Sequence, residues 1–266
     1  MERIRSGDAE IAYETLGAGA PLVLLHPFPA HHEFWSPLSE RLATRYRVIL
    51  PDLRGHGDSE VGEGPATMEK HAADLLRVCD AADAGRAVFV GVSIGGYILF
   101  EFWRRYRQRV RALVLSDTRA PADTDEGRAN RLQTAEDVLQ RGPEPFIDSM
   151  LPKLLGESTH RARPDLVQAA KRMMLKMSAQ DIAQVQRGMA ARPDSVETLK
   201  TINAPTLLLV GSEDTLTPLA DAELMRQHIA GSQLRVIARG GHYAPFEQGE
   251  ATLPLLRQFL DGLPAQ

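Results

Sequence analysis

Six short runs, several of them near-continuous in Val, Leu and Ile, constrain this chain more than anything else in it: Leu22 to Leu25, Val48 to Leu50, Val88 to Val90, Ala112 to Leu115, Thr206 to Val210 and Leu234 to Ile237. A strand apolar on both faces needs cover on both faces. Such runs therefore read as buried strands of a parallel sheet sandwiched between helices. The intervening stretches supply the helices. One begins near Met68 and repeats Ala72, Leu75, Leu76 and Cys79 at helical spacing; another is Tyr97 to Tyr106. The alternation predicts a doubly wound α/β sheet. Arg3 to Ile4 and Glu10 to Thr15 predict an opening antiparallel hairpin, after which Gly17, Gly19 and Pro21 turn the chain into the sheet.

The alternation stops after Asp117. Residues 119–200 hold no convincing strand and are helical and polar, with Pro143, Pro145, Pro152, Pro164 and Pro193 as breaks. Leu166, Ala170, Met173, Met174 and Met177 share one helical face. The expectation is a core domain of residues 1–118 and 201–266 with a helical cap, 119–200, inserted between two strands. A length of 266 residues suits one domain of this kind.

Composition narrows the function classes. A net charge of -4, with no Lys/Arg block, offers no field for nucleic acid or anionic lipid. No apolar run is long enough to span a membrane, and the start, MERIRSGDAE, lacks the apolar stretch of a secretory signal. The single cysteine, Cys79, excludes an internal disulfide. These features predict a cytoplasmic protein acting on a small molecule, with oligomeric state left open. No cysteine cluster, H-E-x-x-H, P-loop or G-x-G-x-x-G after the first strand is present, so neither metal nor cofactor is expected.

The chemistry concentrates in Val88-Phe89-Val90-Gly91-Val92-Ser93-Ile94-Gly95-Gly96, a strand, then G-x-S-x-G, then a helix. Such a turn is tight and strained. Glycines on either side make room, and the serine oxygen is pushed out at a helix N-terminus. A serine hydroxyl needs a base, and His242 in Gly240-Gly241-His242-Tyr243 follows the last strand. Of the eight histidines, His31, His32, His71, His160 and His228 fall on helical or exposed stretches and read as ordinary structural residues. The base needs a carboxylate to orient it. Asp214 follows the strand Thr206 to Val210, and Asp117, after Ala112 to Leu115, is its rival. The oxyanion donors expected are the N–H groups of Ile94 and of Phe28, which lies between Pro27 and Pro29. Asp52-Leu53-Arg54-Gly55-His56-Gly57-Asp58-Ser59 reads as scaffold. Phe28, Phe146 and Met150 are candidate pocket walls. Arg119 is either a carboxylate-binding residue or the ion-pair partner of Asp117, Asp123 or Asp125.

Taken in order, the HPFP loop, DLRGHGDS, GVSIGG, GSED and GGHYAPFE resemble the α/β-hydrolase superfamily over nearly the whole chain. Within it the chain is similar to 3-oxoadipate enol-lactonase-like carboxylesterases and cofactor-free haloperoxidase-type esterases. The resemblance implies an eight-stranded, mostly parallel sheet with a helical cap, and places nucleophile, acid and base on Ser93, Asp214 and His242. It implies a hydrolase of small esters or lactones. Carbon–carbon bond hydrolysis and perhydrolysis use the same residues, and a small-ligand receptor of this fold with little turnover is the reading from another class. One departure is Pro27, where the family usually has glycine.

Overall fold

The computed structural model describes residues 1–264. Eight strands form one sheet: β1 (Glu2–Ser6), β2 (Ala9–Leu16), β3 (Ala20–Leu25), β4 (Tyr46–Pro51), β5 (Ala87–Val92), β6 (Val110–Ser116), β7 (Thr206–Gly211) and β8 (Gln233–Ile237), in the order β1-β2-β4-β3-β5-β6-β7-β8. β1 and β2 pair antiparallel, as does β2 with β4. Every other neighbour pair is parallel. This is the α/β-hydrolase fold.

The apolar runs work as two-sided strands. Val23, Leu25, Phe89, Leu208 and Val210 enter one core, while Leu22, Leu24, Val88, Val90, Leu207 and Leu209 enter the other. Period-two alternation splits each continuous run between the two helical layers. Truncating one of the buried leucines to alanine costs about 2–5 kcal/mol, so the sheet interior dominates stability.

β8 departs from the expected buried strand. Only Ile237 in it is buried; Gln233, Arg235 and Val236 are exposed. The strand pairs on one side only, with β7, so it lies at the sheet edge where half its surface meets water. Arg235 is a charge of the kind that keeps such edges from pairing further.

Between β6 and β7 run six helices: Asp125–Arg141, Glu144–Leu154, Glu157–Ala162, Pro164–Met174, Ala179–Ala190 and Val196–Leu199. Local chemistry sets their ends. Thr124 accepts the Gly127 N–H at the first, Gly142 (φ +80°) ends it, and Ser178 with Asp181 forms a capping box at the fifth. Pro152 lies inside the second helix rather than breaking it. The fifth helix touches the sheet domain at backbone distance. A Cβ on Gly188 would lie 1.8 Å from the Ala66 carbonyl oxygen, and the Ala66 N–H donates to Gln184 O at 3.0 Å. Among the described residues, no helix is long and apolar enough to cross a membrane.

Candidate active site

The turn between β5 and the helix Ile94–Tyr106 carries Ser93 at φ 54°, ψ -113°. A non-glycine residue there is strained and persists only when its surroundings hold it. They do: the Ser93 N–H donates to Ser116 O at 3.0 Å, and Ser93 O accepts from the Thr118 hydroxyl at 2.7 Å. Gly91 and Gly95 leave the necessary room. A Cβ on Gly91 would meet the Gly95 carbonyl carbon at 2.6 Å, and one on Gly95 would meet Leu25 at 3.0 Å.

Ser93, His242 and Asp214 form one chain of hydrogen bonds. Ser93 Oγ lies 2.8 Å from His242 Nε2, and His242 Nδ1 lies 2.9 Å from Asp214 Oδ2. This arrangement fits a catalytic triad. Asp214 Oδ1 accepts the N–H groups of Leu216 (2.8 Å) and Thr217 (3.1 Å), and Oδ2 accepts the Thr217 hydroxyl at 2.6 Å. Burial alone would raise the Asp214 pKa; His242 and the Thr217 donors outweigh it and hold the carboxyl below its ordinary value. Thr217, which the sequence reading did not single out, also stands 3.3 Å from His242 Nδ1.

Asp117 is not brought to His242. Its Oδ1 accepts the Gly211 N–H at 2.7 Å and its Oδ2 the Ser116 hydroxyl at 2.6 Å. Complete burial, then the charge on Asp214, push its pKa well above the carboxylate range. Of the two acids, Asp214 is the one whose charged form its surroundings favour, and Asp117 the one whose charged form they disfavour.

A cavity of about 210 Å³ opens onto Ser93 and His242. Phe28, Arg119 and Met150 line it together with Tyr97, Arg131, Gln186 and Met189. Phe146 does not. It packs on the Phe28 ring, centroids 5.8 Å apart, and faces the adjoining cleft with Pro145 and Ser149. Phe28 thus takes the wall position and Phe146 backs it. Among the described residues, neither the Phe28 nor the Ile94 N–H has a protein acceptor.

Arg119 is paired with none of the three carboxylates considered for it. Asp123 binds Arg131 (2.6 Å) and Arg192 (2.9 Å), Asp117 is turned to Gly211, and Asp125 sits exposed in the first turn of its helix. The Arg119 Nε is buried with no hydrogen-bond partner.

The Asp52–Ser59 segment braces the loops. Asp52 accepts the His32 N–H and ring nitrogen, both at 2.8 Å, and the Asp58 N–H at 2.9 Å; Arg54 is buried against Asp74 and Asp8. His31, one of the histidines read as ordinary structural residues, is buried beside this brace. The ligating atoms of His31, His32 and Asp52 lie within 4.8 Å of one another. The Asp52 oxygens are already filled by these donors, and burial, then the Lys176 charge, push the His31 pKa down.

Comparisons with known proteins agree with this architecture. Residues 20–248 match the model of the alpha/beta hydrolase fold family. The 3-oxoadipate enol-lactonase 1 of Acinetobacter baylyi is 30% identical over 244 residues, 91% of this chain and 89% of the relative. A thermophilic esterase from Thermogutta terrifontis, solved with malate bound, superimposes with a TM-score of 0.96 at 38% identity, covering 100% of both chains. Est816, described as an N-acyl homoserine lactone degrading enzyme, has a TM-score of 0.82 at 27% identity, over 97% of this chain and 100% of its own. The chain is a hydrolase by fold and by the arrangement of its site. It belongs to the α/β-hydrolase fold family.

Proposed function

We propose that this chain is a serine hydrolase that cleaves small carboxylic esters or lactones through an acyl-enzyme on Ser93. The observation that carries the reading is the unbroken Ser93–His242–Asp214 chain at 2.8 and 2.9 Å, opening onto a cavity. The class of enzyme, a carboxylic ester hydrolase, is carried by the relative and the structural neighbours together.

The chemistry follows from the geometry. His242 Nε2 takes the Ser93 proton as Oγ attacks the substrate carbonyl. Asp214 holds Nδ1–H and stabilises the imidazolium that forms. The oxygen of the tetrahedral intermediate takes the N–H groups of Phe28 and Ile94, whose fixed position needs no reorganisation as charge develops. His242 then gives its proton to the leaving alcohol, and water, deprotonated by the same nitrogen, frees the acid. In a lactone the alcohol stays tethered to the released acid. Residues 119–200 act as the cap, closing the cavity over the strand ends with Met150, Gln186 and Met189.

Arg119 sets the finer substrate class. Arg119 lines the cavity beside Tyr97, its Nε buried and without a partner among the described residues, and a carboxylate on the substrate would supply that partner. The malate bound by the Thermogutta terrifontis esterase is itself a dicarboxylate. Purified protein is to be assayed on neutral acetate esters and on lactones bearing a free carboxylate. Steady turnover supports an enzyme; a single burst without turnover would favour a receptor. Arg119→Ala should weaken the carboxylate-bearing substrates and spare the neutral ones. Equal losses on both would remove the carboxylate-binding role.

A further inference from the structure

Two carboxylates that touch neither Ser93 nor His242 tie the acid loop and the base loop to one turn of the cap. Glu247, 5% exposed, accepts the Gly241 N–H on Oε1 at 2.9 Å and the Gly156 N–H on Oε2 at 2.7 Å. Gly241 immediately precedes His242. Tyr243, immediately after it, donates its N–H to Leu154 O at 2.9 Å. His242 is therefore held from both flanks by residues 154–156. Glu213, immediately before Asp214, accepts the Ser158 N–H at 2.8 Å and the Ser158 hydroxyl at 2.5 Å. Its own N–H donates to Gly240 O at 2.8 Å, which joins the two loops directly. There is no slack: a Cβ on Gly241 would lie 2.2 Å from Gly156 N.

We propose that Glu247 and Glu213 are positioning residues, and that the cap turn 154–158 is the template against which His242 and Asp214 are aligned. The proposal rests on the triad reading above. Both N–H groups that Glu247 receives are buried and have no alternative acceptor, so loss of either oxygen leaves a donor unsatisfied and the loop shifts. Proton transfer from Ser93 depends on the placement of His242 within a fraction of an ångström.

The test is Glu247→Gln, in which the amide NH₂ replaces one acceptor and confronts one N–H donor. The variant and parent are compared for folded fraction by urea unfolding, for kcat and KM on an acetate ester, and for the rate at which a phosphonate labels Ser93. The expected result is a fall in kcat of about 10- to 100-fold with KM nearly unchanged, and a parallel fall in labelling rate. Glu213→Gln, at a partly exposed residue, keeps the proposal testable should the first variant unfold. It should show the same pattern, more weakly. Combining the two should lose less than the product of the single effects, because both act on one template. Folded variants with parental kcat and parental labelling would overturn the proposal. So would a loss no greater than the loss of folded protein. A parent that neither hydrolyses esters nor labels would instead fell the ester-hydrolase reading, and this proposal with it.

Discussion

His56 offers a quantitative prediction. It lies 1% exposed in the brace behind the Pro27–Pro29 loop, its ring T-stacked on Phe28 with centroids 5.7 Å apart. Nδ1 donates to Arg54 O at 3.0 Å, whereas Nε2 is buried without a partner. Burial lowers its pKa from 6.5 to about 4. The folded chain thus keeps His56 neutral at pH 5, while the unfolded chain protonates it. Between those two values the unfolded state binds more protons, so acid favours unfolding. The contribution is complete well above 6.5 and is lost as pH falls toward 4. At pH 5 the unfolded pKa lies about 1.5 units above the solution, and at about 1.4 kcal/mol per unit the loss is about 2 kcal/mol. His56→Phe fills the space without titrating. It should cost about 1 kcal/mol at both pH values, because the Arg54 carbonyl loses its donor. The drop in urea-unfolding stability from pH 7.5 to pH 5 should be about 2 kcal/mol smaller in the variant than in the parent. Groups remote from His56 cancel in that double difference; His26 and His71, which the His56 charge also lowers, are held down first by their own burial in both proteins. An identical pH-dependent drop in the two proteins would refute the reasoning.

Ser93→Ala should remove ester hydrolysis by about 10³-fold or more while leaving the urea midpoint near that of the parent; activity within tenfold of parental would end the nucleophile reading. Asp214→Asn should cost about 10³- to 10⁴-fold in kcat by disturbing the His242 tautomer. Asp117→Asn should stay within about tenfold, since Asn mimics a protonated acid and can donate to Ser116; a larger loss there would move the acid to β6. Gly188→Ala should destabilise the protein by more than about 2 kcal/mol in urea unfolding, despite alanine's better helix propensity, because its Cβ meets Ala66 O.

What the sequence made legible was local. The elbow could be read because Gly91, Ser93 and Gly95 are neighbours in the chain and the strain they relieve is local too. Five of the six apolar runs became buried strands for the same reason: alternation within each run decides which core its residues enter. Leu234 to Ile237 misled because hydrophobicity does not encode whether a strand has a neighbour on both sides, and β8 has only β7. Phe146 was placed in the cavity because both it and Phe28 are apolar; that one stands in front of the other is a property of two helices and a loop meeting. The choice between Asp214 and Asp117 rested on strand position and on the resemblance of the GSED loop, whereas the structure separates them by partners, Thr217 and His242 for one, Gly211 for the other. Glu213 and Glu247 left no mark at all. Two of the backbone N–H groups they accept lie 55 and 91 residues away, and any glycine or serine can donate one.

The contacts at Gly156 and Gly188 bear on how the cavity selects its occupants. A roof that could swing would need slack where it meets the walls. This one is fastened at two separate places, at each of which backbone stands so close to neighbouring atoms that not even a methyl group fits between them. Any outward movement of the helices over Ser93 would have to break both contacts. The cavity beneath them, about 210 Å³, is smaller than the roughly 300 Å³ at which drug-sized ligand cavities begin. On the ester-hydrolase reading proposed above, a cavity of this size predicts faster turnover of short-chain than of long-chain acyl esters.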